Sequence, residues 1–289
     1  MSVNLSSPLA VVCHDAGSAN IIFSWLKQWN GKVYPVLRGP AISLWQSSFP
    51  GICIEQDLSC ALSKADMLLS GTSWSDNLEH EARIQAAHMK LKSVAVIDHW
   101  VNYANRFQRD YSHQLPDEIW VTDRYAVDIA TSTFPRVPVF LQPNTYVQDQ
   151  IASILPPPKK NIFLYLLEPV ATDWGMNRAG EFVALDYAID RLSKHAGRPT
   201  LKLRPHPSES PDKYAHYIET YDFIEMDVSD TVGEAISKAD AVVGVESFAL
   251  TIALGANRPV FCSLPPGAPA LRLPHKGIME IRETAALLL

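Results

Sequence analysis

Residues Pro8 to Asn20 read PLAVVCHDAGSAN. A short apolar run, Pro8 to Cys13, gives way to a polar turn containing a glycine, and a helix-length amphipathic stretch, Asn20 to Trp29, follows. That succession is how a parallel βα unit begins. The same alternation recurs outward from it. Strand-like runs fall at Val33 to Leu37, Gly51 to Ile54, Met67 to Leu69, Ser93 to Ile97, Glu118 to Val121 and Val137 to Leu141. Helical patterns separate several of them. The clearest is Asp76 to Leu91, where Asp76 can cap and Glu79, three residues on, can complete a capping box.

From Gln142 to Lys160 the alternation lapses. Leu155 to Lys160 (LPPPKK) can neither continue a helix nor donate to a sheet interior, which predicts a domain boundary. A second series opens with Asn161 to Leu167. Its later strands are expected at Thr200 to Leu203, Phe223 to Glu225, Ala241 to Val245 and Pro259 to Cys262. Its helices are expected at Asn177 to His195, Asp212 to Tyr221, Val232 to Lys238 and Ser247 to Leu254. The expected fold is α/β: two Rossmann-like domains, residues 1–150 and 160–289, with a cleft between them.

Composition narrows the class. Of 289 residues, 47% are apolar and 19% charged, which excludes a disordered or fibrous chain. Lys and Arg number 25 against 31 Asp and Glu, a net charge of −6 that argues against a nucleic-acid partner. Cys13, Cys53, Cys60 and Cys262 show no C-x-x-C spacing and are expected to be buried, reduced thiols. Met1 to Ser7 shows no basic region followed by an apolar stretch, so no signal peptide is expected. The most apolar stretch, Ala241 to Leu254, is broken by Glu246 and falls short of the roughly 20 residues of a membrane span. The expectation is a cytoplasmic protein without a transmembrane segment, compatible with peripheral membrane association.

Parallel sheets bind ligands at the carboxyl ends of their strands, so the polar residues there are the candidates. His14, Asp15 and Gly17 follow the first strand. Either His14 or Asp15 could take a proton from a hydroxyl, and Gly17 would admit close backbone approach; the alternative is a tight turn with Asp15 or Ser18 as helix cap. Gly71 to Ser75 (GTSWS) follows the strand ending at Leu69, and Ser73 there could line a sugar site or simply open a helix. Asp98 and His99, ahead of Trp100, could form an orienting pair or cap a turn. In the second half, Leu203 runs into Arg204, Pro205, His206 and Pro207, where two prolines fix the direction of the imidazole. Glu246 and Ser247 end another strand and enter a helix, whose N-terminus could accept an anion; the alternatives are His206 as a turn residue and Ser247 as a plain N-cap. Glu168, after the second domain's first strand, could face donor or acceptor, or could be a helix-entry acid. Neither a G-x-G-x-x-G fingerprint nor an H-E-x-x-H zinc motif is present, and no cofactor or metal is expected.

Arg204-Pro205-His206-Pro207 and Glu246-Ser247, with the closing run Gly255 to Val260, resemble the donor domain of GT-B glycosyltransferases. They are similar in particular to bacterial capsule, sialic-acid and Kdo transferases with a His-Pro motif and a later serine. The resemblance covers about residues 161 to 265. It implies a nucleotide-sugar donor, with CMP slightly favoured, whose phosphate meets His206 and Ser247, with Arg204, Pro207 and Glu246 at the same donor site. It also implies a glycan or other small acceptor on the first domain, and a place in bacterial surface-polysaccharide assembly. The acidic Asp/Glu-Asp/Glu-Gly motif of the sialyltransferases is absent, and Asp15 is the nearest substitute. Two alternatives share this layout: a nucleotide-sugar hydrolase or epimerase, and a silent protein that binds a nucleotide or a partner without turnover.

Overall fold

Strand periodicity accounts for the first sheet directly. In β1 (Leu9–Cys13) every residue is buried; Leu9, Val11 and Cys13 enter one apolar cluster, while Ala10 and Val12 enter another on the opposite face. A strand buried on both faces needs helices above and below. The computed structural model describes residues 3–73, 76–109, 112–170, 172–194, 197–207 and 209–283. Trp74, Ser75, His195 and Ser208 lie outside the described residues.

The chain divides into two units, Met1–Tyr146 and Val147–Leu289. In the first, β1 is followed by α1 (Ala16–Leu26), β2 (Val33–Leu37), α2 (Pro40–Ser48), α3 (Leu58–Ser63), β3 (Met67–Ser70), α4 (Leu78–Met89) and β4 (Lys92–Val96). A 3-10 turn at Ala104–Phe107 leads into a small antiparallel pair, β5 (Gln108–Arg109) and β6 (Ser112–His113). Then come β7 (Glu118–Val121), α5 (Arg124–Thr133) and β8 (Val139–Leu141). Among the described residues the main sheet has the order β2-β1-β3-β4-β7-β8, all parallel. The direction of winding reverses between β1 and β3.

Helix α6 (Thr145–Ser153) spans the division, and the second unit continues with β9 (Ile162–Leu166), α7 (Gly180–Ser193), β10 (Thr200–Arg204), α8 (Ala215–Thr220), β11 (Ile224–Met226), α9 (Val232–Ser237), β12 (Ala241–Gly244), α10 (Ala249–Gly255), β13 (Val260–Cys262) and β14 (Ile278–Glu280). Its parallel sheet runs β11-β10-β9-β12-β13-β14, with the reversal between β9 and β12. Each sheet thus has the doubly wound layout expected from the sequence.

Several local expectations are corrected. Gly51 to Ile54 forms no strand: the segment passes the sheet edge with one bond, Glu55 N to the Pro35 carbonyl at 2.7 Å, and has no ladder to join. The lapse from Gln142 to Lys160 contains α6. Cys53 and Cys60 are exposed: α3 turns Ala61 and Leu62 into the core and leaves Cys60 on its outer side, and Cys53 lies on a segment that joins no sheet; only Cys13 and Cys262 are buried. Helix α1 starts at Ala16 rather than Asn20, so Gly17 is helical. Helix α10 starts after Phe248, which leaves Ser247 outside it. Among the described residues no helix is long and apolar enough to cross a membrane.

The proline-rich stretch is fixed onto the second unit by two buried or half-buried groups. Arg258, almost fully buried, donates to the carbonyls of Ala239 (2.8 Å) and Leu155 (2.5 Å). Asp240 accepts backbone N–H groups from Lys159 (2.5 Å), Lys160 (2.9 Å) and Ile162 (3.0 Å). Burial pushes the Asp240 carboxyl up, but these donors outweigh it and hold the group below its usual 3.8. A depressed carboxyl stabilises the fold above its unfolded value, and that contribution disappears as pH falls through the folded value. Asp240→Ala is therefore expected to cost about 2 kcal/mol at neutral pH, with the gap from wild type closing in acid; urea melts at pH 7 and pH 3 check this.

Candidate functional site

The reversal point of the first sheet gathers polar groups from four strand exits. His14 and Asp15 leave β1, Gly71 to Ser73 leave β3, Asp98 leaves β4, and Gly39 leaves β2. His14 Nδ1 lies 2.5 Å from Asp15 Oδ1. A carboxylate accepts from Nδ1–H, and in the neutral ring that tautomer leaves Nε2 as the acceptor. Gly39 faces that nitrogen: a Cβ there would stand 2.7 Å from Nε2, and its φ of +51° suits glycine.

Beneath the pair lies Glu79, a fully buried residue of α4. Its carboxyl accepts the His14 N–H at 2.9 Å through Oε1 and the Ser73 N–H through Oε2. The capping-box expectation for Glu79 is thereby overturned. Asp76 does receive the Leu78 N–H, at 2.7 Å, but Glu79 turns inward to serve two strand exits. Burial raises the Glu79 carboxyl to about 7, against the lowering influence of the His14 N–H and Arg83.

The loop after β3 is held from the other side by three guanidinium groups on successive carbonyls. Arg83 donates to Gly71 O (3.1 Å), Arg106 to Thr72 O (3.2 Å), and Arg109 to Ser73 O. Arg106 also reaches Asp98 Oδ1 at 2.9 Å and Thr72 Oγ1 at 3.1 Å. None of these arginines was singled out by sequence reading. The available signal was Glu79 and Arg83, four residues apart, beside the small apolar stripe Leu78, Ala82 and Ala86. Asp98 occupies the start of α1: a Cβ on Gly17 would come within 1.8 Å of its Oδ2. Gly17 therefore admits the protein's own carboxylate. His99 stacks obliquely beside Trp100, whose ring is buried and whose Nε1 donates to Asp123 at 2.8 Å. That anchors Trp100 in the core.

In the second unit Glu168 follows β9 and Glu246 follows β12, at the reversal point. Glu168 Oε1 accepts the Glu246 N–H. Burial lifts the Glu168 carboxyl to about 7, with the Glu246 N–H opposing it. The Glu246 carboxylate is saturated by Arg272, through its backbone N–H (2.8 Å) and both sides of its guanidinium. Arg204 is committed to Asp227 (2.5 Å) and the Ser229 carbonyl (2.8 Å). His206 is half-buried and Pro207 exposed in the loop after β10; the His206 carbonyl accepts Glu209 N–H at 2.9 Å. Ser247 makes a local turn, its Oγ 3.3 Å from Ala249 N and its carbonyl bonded by Leu250 N. Glu168 and Glu246 are thus brought into contact, while Arg204 is held by its own strand neighbours. Among the described residues no cluster of His, Cys, Asp or Glu could hold a metal ion.

No family model matches the sequence, and no curated protein matches it. Solved structures match in fold. A Listeria monocytogenes protein assigned as a UDP-N-acetylglucosamine 2-epimerase gives a TM-score of 0.58 at 12% identity, over 89% of this chain and 79% of that one. The UDP-GlcNAc 2-epimerase of Methanocaldococcus jannaschii gives 0.57 at 9%, over 88% and 83%. The glycosyltransferase SnogD from Streptomyces nogalater gives 0.50 at 10%, over 98% and 91%. The shared feature is the fold: two Rossmann-like α/β units of the kind found in GT-B glycosyltransferases and these epimerases. Nothing in the comparisons supports the His-Pro resemblance at the level of sequence.

The raised carboxyls carry a signed pH dependence. Each is protonated in the folded protein between its ordinary 4.5 and about 7, where the unfolded chain has lost that proton. Their contribution therefore weakens as pH rises through that interval. His80, lowered to about 4 by burial, acts with the opposite sign below its ordinary 6.5. The comparison must accordingly be made variant by variant: in thermal melts across this range, Glu79→Gln and Glu168→Gln are each expected to lose stability less steeply with rising pH than wild type.

Proposed function

We propose that this chain is a glycosyltransferase of GT-B type that uses a nucleotide-sugar donor, with His14 as general base and Asp15 as the residue that orients it. The observation that carries the reading is the 2.5 Å His14–Asp15 contact at the sheet's reversal point, with Nε2 left opposite an unsubstituted Gly39. His14 Nε2 takes the proton of an acceptor hydroxyl held by the first unit, with Ser73, Asp98 and His99 near the same strand ends. The acceptor oxygen bonds to the sugar carbon, the carbon–oxygen bond to phosphate breaks, and the nucleotide leaves with the bonding pair.

The second unit binds the donor. His206 and Ser247 donate to the departing phosphate. Arg204 acts by holding the β10 exit in place rather than by direct contact, and Glu246 by holding the loop of Arg272. Glu168, bonded to the Glu246 backbone, shapes the floor beneath the sugar. The His-Pro resemblance favours a CMP-sugar and a role in surface-polysaccharide assembly.

A second reading, an epimerase that inverts a sugar carbon without an acceptor, draws on the two epimerase folds at TM-scores of 0.58 and 0.57. Incubation with CMP-, UDP-, GDP- and ADP-sugars separates the two: transfer releases nucleotide and requires an acceptor, whereas epimerisation changes the sugar's NMR spectrum with no acceptor present. For transfer, His14→Ala is expected to lower turnover by about 10²–10⁴ with nucleotide affinity preserved. Asp15→Asn should lower turnover through the wrong tautomer, and His206→Ala should weaken nucleotide binding instead. Unchanged turnover in His14→Ala would remove the base from the proposal.

A further inference from the structure

A cavity of about 550 Å3 opens in the first unit beside the carboxyl end of β2. That size falls within the ~300–1,000 Å3 of small-molecule pockets. None of the candidate site residues discussed above lines it. Its floor is aliphatic, built from Val36, Ile42, Ile54, Leu58 and Leu78. Its rim carries side-chain amides, Gln46 from α2, Gln56 before α3 and Gln85 from α4, together with the carboxylates of Glu55, Asp57 and Glu81.

The charges on that rim are unevenly committed. Arg38, the cation among the lining residues, is paired with Asp76 at 3.3 Å. Glu55 is paired with Lys64 at 3.4 Å, and Asp57 caps α3 by accepting Cys60 N–H at 2.6 Å. Glu81 is exposed and makes no side-chain bond among the described residues. The cavity also adjoins the His14 site through three chain neighbours. Arg38 precedes Gly39, which abuts His14 Nε2; Ile42 follows Ala41, whose N–H reaches the His14 carbonyl at 3.1 Å; Leu78 precedes Glu79.

We propose that this cavity is a binding site for an amine-bearing sugar, and that such a sugar is the acceptor in the reaction proposed above. Only its role as acceptor rests on that reading; binding stands by itself. The aliphatic floor covers the C–H face of a pyranose ring; the Gln46 amide both donates to and accepts from hydroxyls, Gln85, whose Oε1 accepts from Ser59 Oγ at 2.8 Å, donates through its NH2, and Gln56, whose NH2 reaches the Ile54 carbonyl at 3.5 Å, accepts through its oxygen. The Glu81 carboxylate pairs with the ammonium group, while an anionic sugar meets three carboxylates against one guanidinium already in use.

The test is calorimetry of the full chain with glucosamine, glucose and glucuronate. Glucosamine is expected to bind about fivefold more tightly than glucose, the scale of one partly exposed charge pair, and glucuronate least of all. Glu81→Gln should erase the preference, and Gln46→Trp, which fills the mouth, should abolish binding of all three sugars with the melting temperature retained. Equal or tighter binding of glucuronate, no binding of any sugar, or unchanged binding in Gln46→Trp would overturn the site. Nucleotide release that proceeds in Gln46→Trp with an unaltered KM for the amine-bearing acceptor would overturn the acceptor role. Binding that behaves as expected, beside a total absence of release from every donor, would overturn the transferase reading and leave the sugar site standing.

Discussion

A buried carboxyl that accepts two backbone N–H groups, Glu79 between His14 and Ser73, ties together the exits of β1 and β3 at the point where the first sheet reverses. The two strand exits diverge there, and each carries an amide that would otherwise face a void or water. Glu79 satisfies both from a helix that packs below, and this fixes the backbone from which the His14 imidazole projects. The arginines act on the same loop from behind. By holding the carbonyls of Gly71, Thr72 and Ser73, they set the peptide planes so that the Ser73 amide meets Glu79. A geometry built from charged groups in a dry setting is specific because partial satisfaction is so costly.

The second unit reaches the same answer with different residues. Glu168 leaves β9 and receives the amide that leaves β12, again at the reversal and again with a carboxyl raised to about 7. In one unit the acid comes from a helix and in the other from the strand exit itself. The recurrence follows from topology: a doubly wound sheet opens a gap where its winding changes direction, and some acceptor must close it.

Much of the fold was legible in the sequence because β1 and β9 are unbroken apolar runs of strand length flanked by turn chemistry. Gly51 to Ile54 misled because Ile54 does pack against the core without joining a ladder. Ser247 and Arg204 were visible by position, yet position alone did not reveal that Arg204 already has Asp227 as its partner. Glu79 was visible and misassigned, since its spacing from Asp76 satisfies a local rule that a tertiary demand overrode. Arg106 and Arg109 could not have been found by pattern. The loop carbonyls they hold, those of Thr72 and Ser73, lie more than thirty residues away in sequence.

Gly39 gives the arrangement a built-in vulnerability. Its left-handed backbone and missing side chain are what leave room at His14 Nε2. Replacement by almost any other residue would strain the turn and cover the imidazole, while Glu79, the arginine clasp and the whole second unit stayed as they are. Such a change would leave the architecture standing and close off one ring nitrogen. Access to the imidazole is thus set by one residue of backbone, and it can be lost without any loss of fold.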